Sequence, residues 1–243
     1  MITSRQNDKI KFIKSLYDKK QRDQQGLFLV EGVKSVKEAF KMEQKVKTVV
    51  CTEKGLNLLG EINAETLLVS DGVFLSITDE KSPQGVIAII EKKILPLREP
   101  NGRCLFLDGV ADPNNVGAII RTAAASGYND IYVARPSADP FSPKTARVSM
   151  SGLFAVNIFE GERKELLSYI NVPIYVADMN GENVFSFKAD EKFCLAIGNE
   201  GHGISKELKE KATKTISIPM QNGIESLNAG VSAGILMYQL KNS

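Results

Sequence analysis

The chain has 243 residues, of which 43% are hydrophobic and 25% are charged, with a net charge of +2. These proportions are typical of a globular protein with one large domain or two modest ones. No run approaches the roughly 18 apolar residues of a membrane span, and the first dozen residues do not form a signal sequence, so we expect a cytoplasmic protein that contacts no membrane. Three scattered cysteines and one histidine, His202, argue against a metal site or a disulfide framework.

The first 25 residues are basic, with seven Lys or Arg against three Asp. On a helix, Ile10, Ile13, Leu16 and Tyr17 form an apolar stripe that leaves the lysines and Arg22 on the solvent side. A solvated helix face is the commoner explanation of such a pattern. A phosphate-binding surface becomes the better one only if other features point to nucleic acid.

Strands and helices alternate from residue 26 to residue 91, which predicts a small α/β domain. Two prolines and a glycine then interrupt the pattern within residues 92–103. In the second half, near-continuous apolar strands between helices predict a parallel sheet covered on both faces. We therefore predict an N-terminal domain at 1–95, a linker at 96–102 and a second domain at 103–243.

Three polar, glycine-bearing loops follow predicted strands of the second half: DGVADPNNVG, IGNEGHG and PMQNGIESLN. Ligands of open α/β sheets bind at the carboxyl ends of the strands. None of the loops has the spacing of a dinucleotide-binding or P-loop motif. The last loop follows a strand predicted to end at Ile218 and precedes a helix that Ser226 and Asn228 are predicted to open. Free N–H groups in its first turn suit a polar ligand, although a Ser-capped structural helix is the simpler alternative.

Arg121 stands in the otherwise apolar helical run AIIRTAAA, where its neighbours are predicted to be buried. A buried guanidinium requires an anionic partner, because desolvation of the charge is costly. Glu200 in IGNEGHG is the available carboxylate. A structural Arg–Glu ion pair and a functional arginine are equal alternatives on these residues.

Together the motifs DPNNVGAIIRTAAASG, LAIGNEGHGIS and ISIPMQNGIESLNAGVSAGI resemble, in order, those of the SpoU (TrmH) family of RNA ribose 2′-O-methyltransferases. SPKTARVSMSG and the N-terminal SRQNDKIKFIKSL, KKQR and FLVEGVKSVKEA extend the resemblance over nearly the whole chain. It implies an α/β protein. The C-terminal domain would be a SPOUT-type parallel sheet with a deep trefoil knot, preceded by a small ribosomal-protein-like α/β domain that binds substrate. The resemblance also implies a homodimer, because members of the family work as dimers.

The resemblance further implies the site residues and S-adenosylmethionine as cofactor. The catalytic positions are Asn115, Arg121, Glu200, Ser226 and Asn228. Those that hold the cofactor, largely through backbone groups, are Gly198, Ile218, Met220, Leu227 and Asn228. Basic residues expected to contact RNA are Arg5, Lys9, Lys11, Lys20, Arg22, Lys144 and Arg147. Ala229 and Gly230 replace larger family residues, which predicts altered packing under the cofactor.

The activity implied is 2′-O-methylation of a ribose in RNA, with large-subunit (23S) ribosomal RNA favoured because of the ribosomal-protein-like domain. A tRNA methyltransferase and a non-catalytic RNA-binding assembly factor are the alternatives, and antibiotic-resistance methylation is a special case. DNA lacks the reacting hydroxyl and is not expected as substrate. Because a guanidinium stays protonated in proteins, Arg121 is expected to orient a phosphate and stabilise the alkoxide, while Asn115, Glu200 or a substrate phosphate receives the proton.

Overall fold

The computed structural model describes residues 1–241. Its residues fall into two compact units. The first comprises Met1–Ile94 together with Phe141–Arg147, and the second comprises Leu95–Pro140 together with the residues from Val148 onward. Among the described residues, none of the helices has the length and apolar character needed to cross a membrane.

The first unit is built on a four-stranded mixed sheet. Its helices are α1 (Asp8–Ser15), α2 (Lys19–Gln25), α3 (Val33–Lys41), α4 (Glu53–Leu59) and α5 (Asp71–Phe74), and its strands are β1 (Leu27–Glu31), β2 (Val46–Cys51), β3 (Glu65–Leu68) and β4 (Val86–Glu91). In the order β1-β4-β2-β3, β4 is antiparallel to both neighbours and β2 is parallel to β3. Alternate strand residues face a core that includes Ile10, Ile13 and Leu16.

Arg22 corrects the prediction that this side chain lies on the solvent side. It is only 2% exposed, and its guanidinium donates hydrogen bonds to the carbonyls of Leu16 (2.8 Å) and Tyr17 (2.7 Å). The apolar stripe was extended over one continuous helix, whereas α1 ends at Ser15 and a new helix begins at Lys19. The turn between them leaves carbonyls without helical partners, and Arg22 satisfies them.

The second unit contains a six-stranded sheet in the order β10-β8-β9-β5-β6-β7, and every pairing is parallel. The strands are β5 (Cys104–Asp108), β6 (Asp130–Ala134), β7 (Asn157–Gly161), β8 (Ile174–Asn183), β9 (Cys194–Gly198) and β10 (Lys214–Ser217). The helices are α6 (Pro113–Ser126), α7 (Pro143–Ser149), α8 (Gly152–Ala155), α9 (Arg163–Ser168), α10 (Lys206–Lys211) and α11 (Ala229–Lys241); α7 begins in the segment assigned to the first unit.

Helices cover both faces of this sheet, as predicted. One face packs against Leu166 and Leu167 of α9 and Leu208 of α10. Strand residues alternate between faces, and α11 contacts β9 while also packing along α6. The two-sided burial explains why these strands read as continuous apolar runs.

One predicted boundary was wrong. The final helix begins at Ala229, so Ser226 does not open it but stays in the preceding loop.

Gly181 lies within β8, where an added Cβ would be 2.5 Å from the backbone of Ile216 on β10. A side chain cannot fit between strands this close, which explains a glycine inside a strand.

Candidate active site

The first two polar loops begin side by side at the carboxyl edge of the six-stranded sheet. Strands β5 and β9 are neighbours, and Asp108 is in register with Gly198 at their last positions. The loop after β5 leads into α6, whose first turn is capped by the Asp112 side chain. The parallel arrangement therefore places DGVADPNNVG and IGNEGHG at one edge.

A chain of side-chain hydrogen bonds connects the three loops. Asn115 Nδ2 donates to Glu200 Oε1 at 2.8 Å, and Asn115 Oδ1 accepts from Asn228 Nδ2 at 2.8 Å. Asn228 Oδ1 then accepts from the backbone N–H groups of Gly230 (2.9 Å) and Val231 (3.2 Å), which caps α11. Asn115 is only 6% exposed, and both ends of its amide are satisfied. Three predicted site residues are thus brought together.

The carboxylate of Glu200 is fixed by backbone donors from the neighbouring loop. The N–H groups of Ala111 (3.0 Å) and Asp112 (3.2 Å) donate to it in addition to Asn115. Partial burial acts to raise the pKa of Glu200, but these hydrogen bonds to the charged form outweigh it and lower the pKa below its usual value. Glu200 is therefore an ionised anchor between two loops.

The loop after β9 is a tight turn. Asn199 Nδ2 donates to the Gly109 carbonyl at 2.8 Å, and Asn199 Oδ1 accepts from the N–H groups of Gly201 and His202, each at 2.9 Å. A Cβ at Gly198 would lie 2.4 Å from the backbone carbon of Gly203. The close approach explains why glycine stands at the end of this strand.

Arg121 corrects the expectation of a buried guanidinium paired with Glu200. The side chain is exposed, because it lies off the buried stripe of α6 that contains Asn115, Ile119 and Ile120. Within residues 1–241 its guanidinium has no hydrogen bond or ion pair. The predicted burial and the structural Arg–Glu ion pair are therefore wrong, whereas an exposed guanidinium remains available to an anionic ligand.

The predicted cofactor residues lie at the same edge. Gly198, Ile218 and Met220 are half-buried, and Leu227 is exposed. The backbone polar groups of Ile218, Met220 and Leu227 have no hydrogen-bond partner among the described residues. Free main-chain donors and acceptors beside partly exposed apolar side chains suit a ligand with both polar and apolar parts, such as S-adenosylmethionine. Ser226 is exposed in the same loop.

The residues predicted to contact RNA all belong to the first unit. Five of them are exposed: Arg5, Lys9, Lys11, Lys20 and Lys144. Lys9 and Lys11 form exposed ion pairs with acidic neighbours. Arg147 is one-third exposed and forms ion pairs with Glu31 and Glu80, so carboxylates already compensate its charge.

Sequence reasoning missed Asp108 and Arg163. Asp108 is 2% exposed and lies at the last position of β5, where it accepts from Arg163 Nε at 2.5 Å and from the Ser205 N–H at 2.7 Å. An aspartate at the end of an otherwise apolar strand was the available signal. Its arginine partner is 55 residues away and could not be identified from spacing.

Two family models match the chain. The SpoU rRNA Methylase family model matches residues 102–238, and the MRM3-like substrate binding domain matches residues 7–88. The 23S rRNA (guanosine(2553)-2′-O)-methyltransferase RlmP of Bacillus subtilis is 33% identical over 99% of this chain and 98% of its own. The 23S rRNA (uridine(2479)-2′-O)-methyltransferase of Streptomyces viridochromogenes is 28% identical over 92% of this chain and 85% of its own.

Solved structures that resemble this chain are also methyltransferases. The AdoMet-bound rRNA methyltransferase of Sinorhizobium meliloti superposes with a TM-score of 0.88 at 29% identity, covering 99% of this chain and 97% of that one. AviRb of Streptomyces viridochromogenes in complex with AdoMet gives 0.87 at 26% identity and covers 98% of each chain. The predictions of fold class, RNA methyltransferase and methyl donor are confirmed. The chain belongs to the SpoU rRNA methylase family.

Proposed function

We propose that this protein transfers the methyl group of S-adenosylmethionine to the 2′-oxygen of a ribose in 23S ribosomal RNA. The hydrogen-bond chain from Glu200 through Asn115 to Asn228 carries this proposal, because it joins the family's three motifs into one arrangement. The exposed guanidinium of Arg121 stands on the same helix as Asn115. Family membership and the two 23S rRNA methyltransferases among the relatives support the substrate.

We assign binding of the cofactor to five residues: Gly198, Ile218, Met220, Leu227 and Asn228. When bound, the sulfonium supplies an electrophilic methyl group. Gly198 leaves room for the backbone of the turn to approach, and the unpartnered main-chain groups of the other loop provide polar contacts. Alignment of the methyl group with the ribose oxygen is the main task of the protein, and in favourable cases such alignment supplies about 7–11 kcal/mol.

We assign Arg121 to binding of the RNA substrate. A guanidinium stays protonated in proteins, so it binds a backbone phosphate and stabilises the negative charge that develops on the ribose oxygen. Glu200 orients Asn115, and its lowered pKa makes it a weak proton acceptor. Ser226 contributes an exposed hydroxyl at the cofactor loop. Glu200 and a substrate phosphate held by Arg121 are both weak bases, and either can take the proton as the methyl group is transferred.

Residues 1–95 are assigned to substrate binding, 96–102 to a linker and 103–243 to methyl transfer. The substrate-binding match over residues 7–88 supports the first assignment. From the family resemblance we further propose a deep trefoil knot in the C-terminal domain, a homodimer and a cytoplasmic location. Val231 (51% exposed) and Tyr238 (47% exposed), seven residues apart on α11, provide an apolar surface for a partner.

The test is transfer of labelled methyl from S-adenosylmethionine to fractionated large-subunit rRNA, small-subunit rRNA and tRNA. We expect label on large-subunit rRNA from the unaltered protein, loss of that label with Arg121→Ala, and little recovery with Arg121→Lys because lysine lacks the bidentate geometry. Lys206→Ala, an exposed cation on α10, is the matched control and should retain activity.

Other outcomes separate the alternatives. Label confined to tRNA would contradict the rRNA assignment. Absence of label from every fraction and from ribosomal particles, together with RNA binding, would favour the non-catalytic RNA-binding protein. Full activity of Arg121→Lys would exclude a specific guanidinium role.

A further inference from the structure

Two aspartates of the six-stranded sheet carry buried carboxylates, and each is paired with an arginine. Asp108 ends β5, and its side chain is 0% exposed; its partner Arg163 is 24% exposed. Asp130 begins β6, and its side chain is 3% exposed; its partner Arg98 is 39% exposed. Since β5 and β6 are parallel and in register, the two pairs lie at opposite edges of the same sheet.

Asp108 connects three elements at the carboxyl edge. Arg163, the first residue of α9, donates from Nε to Asp108 Oδ1 at 2.5 Å and from a terminal nitrogen to Glu207 Oε2 at 3.1 Å. The other carboxylate oxygen of Asp108 accepts from the backbone N–H of Ser205 at 2.7 Å. Asp108 and Arg163 thus hold both Ser205 and the first turn of α10.

Ser205 marks the end of the turn that carries Glu200. The turn begins where Asn199 bonds to the Gly109 carbonyl, Glu200 then contacts Ala111, Asp112 and Asn115, and Ser205 closes it on Asp108. The turn is therefore tied to β5 and to the loop after it through its first two residues, Asn199 and Glu200, and through its last, Ser205. Only the last of these ties depends on a buried ion pair.

We propose that Asp108 and Arg163 are positioning residues that fix the Glu200-bearing turn for cofactor and substrate; this inference rests on the proposed function of that site. Without Arg163, the Asp108 carboxylate is a buried charge without its cation. It then turns toward solvent, and the Ser205 N–H loses a charged acceptor. The turn is released although none of its own residues has changed.

Asp130 and Arg98 provide the matched control. Arg98 donates to both Asp130 oxygens at 3.0 and 2.7 Å, and the Asn101 N–H and the Asn157 side chain complete the contacts of the carboxylate. Both pairs join a buried aspartate to a partly exposed arginine, but the control pair lies away from residues 199–205. Loss of either pair costs stability, and only the first should alter the turn.

The first experiment measures amide hydrogen exchange of the protein without ligands, comparing Arg163→Met, Arg163→Lys and Arg98→Met. In Arg163→Met, peptides covering residues 199–205 should exchange faster by about tenfold or more, as expected for the loss of one hydrogen bond to a charged group. Arg163→Lys should recover part of the protection because it restores the cation. Arg98→Met should leave these peptides unchanged. Unchanged exchange in Arg163→Met, or equal acceleration in Arg98→Met, would overturn the proposal.

The second experiment measures Tm and the kinetics of methyl transfer for the same variants. We expect similar decreases in Tm for the two methionine variants, and a decrease in kcat/KM for S-adenosylmethionine on the order of tenfold in Arg163→Met alone. Equal losses of activity in Arg163→Met and Arg98→Met would show that the Asp108–Arg163 pair has only a structural role. If the unaltered protein transfers no methyl group to any RNA, the proposed function fails, while the exchange data still decide whether the ion pair fixes the turn.

Discussion

At the scale of single residues, the site depends on the amide character of Asn115. Its Nδ2 donates to the carboxylate of Glu200 and its Oδ1 accepts from Asn228. An aspartate at this buried position would place a second negative charge against Glu200, and an alanine would remove one hydrogen bond from each of the other two side chains. The identity of this residue therefore follows from its two contacts.

The lowered pKa of Glu200 predicts a pH-dependent contribution to stability. Because the folded-state pKa lies below the ordinary value of 4.5, the contribution is fully present above that value and is lost as the pH falls through the folded-state pKa. We expect Glu200→Gln to be less stable than the unaltered protein at neutral pH and the difference to shrink in acid. Urea denaturation midpoints measured from neutral pH down to pH 3 test this.

Glu191→Gln is the matched control, since Glu191 is an exposed glutamate before β9. Its midpoint should follow that of the unaltered protein at every pH. A Glu200→Gln difference that persists undiminished at the acid end would show that the charge of Glu200 does not stabilise the loops.

At the scale of structural elements, the turn after β9 depends on Gly198. A Cβ there would lie 2.4 Å from the Gly203 backbone carbon, whereas a Cβ at Gly201 would have the Asn199 side-chain oxygen at an ordinary 3.6 Å. We expect Gly198→Ala to reduce Tm and to abolish binding of S-adenosylhomocysteine, because backbone atoms must move. Gly201→Ala should do neither. Calorimetric titration of both variants tests the binding of S-adenosylhomocysteine, and thermal unfolding tests the change in Tm.

Helix α11 shows a second close approach. A Cβ at Gly230 would lie 3.2 Å from both the Ala118 Cβ on α6 and the Asn228 side-chain oxygen. A small residue here lets α6 and α11 lie close while Asn228 caps the helix. Altered packing under the cofactor at Ala229 and Gly230 stays a prediction.

At the scale of the whole molecule, the predicted RNA contacts and the predicted methyl-transfer residues belong to different compact units. Arg5 and Lys20 have no ion pair among the described residues, whereas Arg147 is paired with two carboxylates. Only a cation that is not already neutralised releases counterions fully when it meets a phosphate.

We therefore expect RNA affinity to fall with salt, and Arg5→Ala and Lys20→Ala each to reduce the slope of log K against log [salt] by about 1 or less. Arg147→Ala should change this slope less, and it should lower Tm because it leaves Glu31 and Glu80 without their cation. Filter binding at several salt concentrations gives the slopes. Equal slope changes in all three variants would refute this distinction between free and paired cations.

The sequence by itself determined the parallel sheet, the edge at which the loops meet and the family. These features depend on short segments of the sequence. Apolar runs that alternate with helices indicate buried strands, and each family motif is contiguous. The first-unit sheet was likewise expected from alternation, although its antiparallel β4 pairings were not, because strand direction depends on connections and not on local pattern.

Only the tertiary structure decided which side chains meet. Glu200 and Asn115 are 85 residues apart, and Asp108 and Ser205 are 97 residues apart. Periodicity predicted Arg22 in solvent and Arg121 in the core, and both predictions were wrong. The Arg22 guanidinium is buried because it donates to carbonyls of the turn between α1 and α2. Arg121 is exposed because it lies beside the buried stripe of α6. Partners of polar groups are set by long-range contacts, and those contacts exist only once the sheet has brought its loops to one edge.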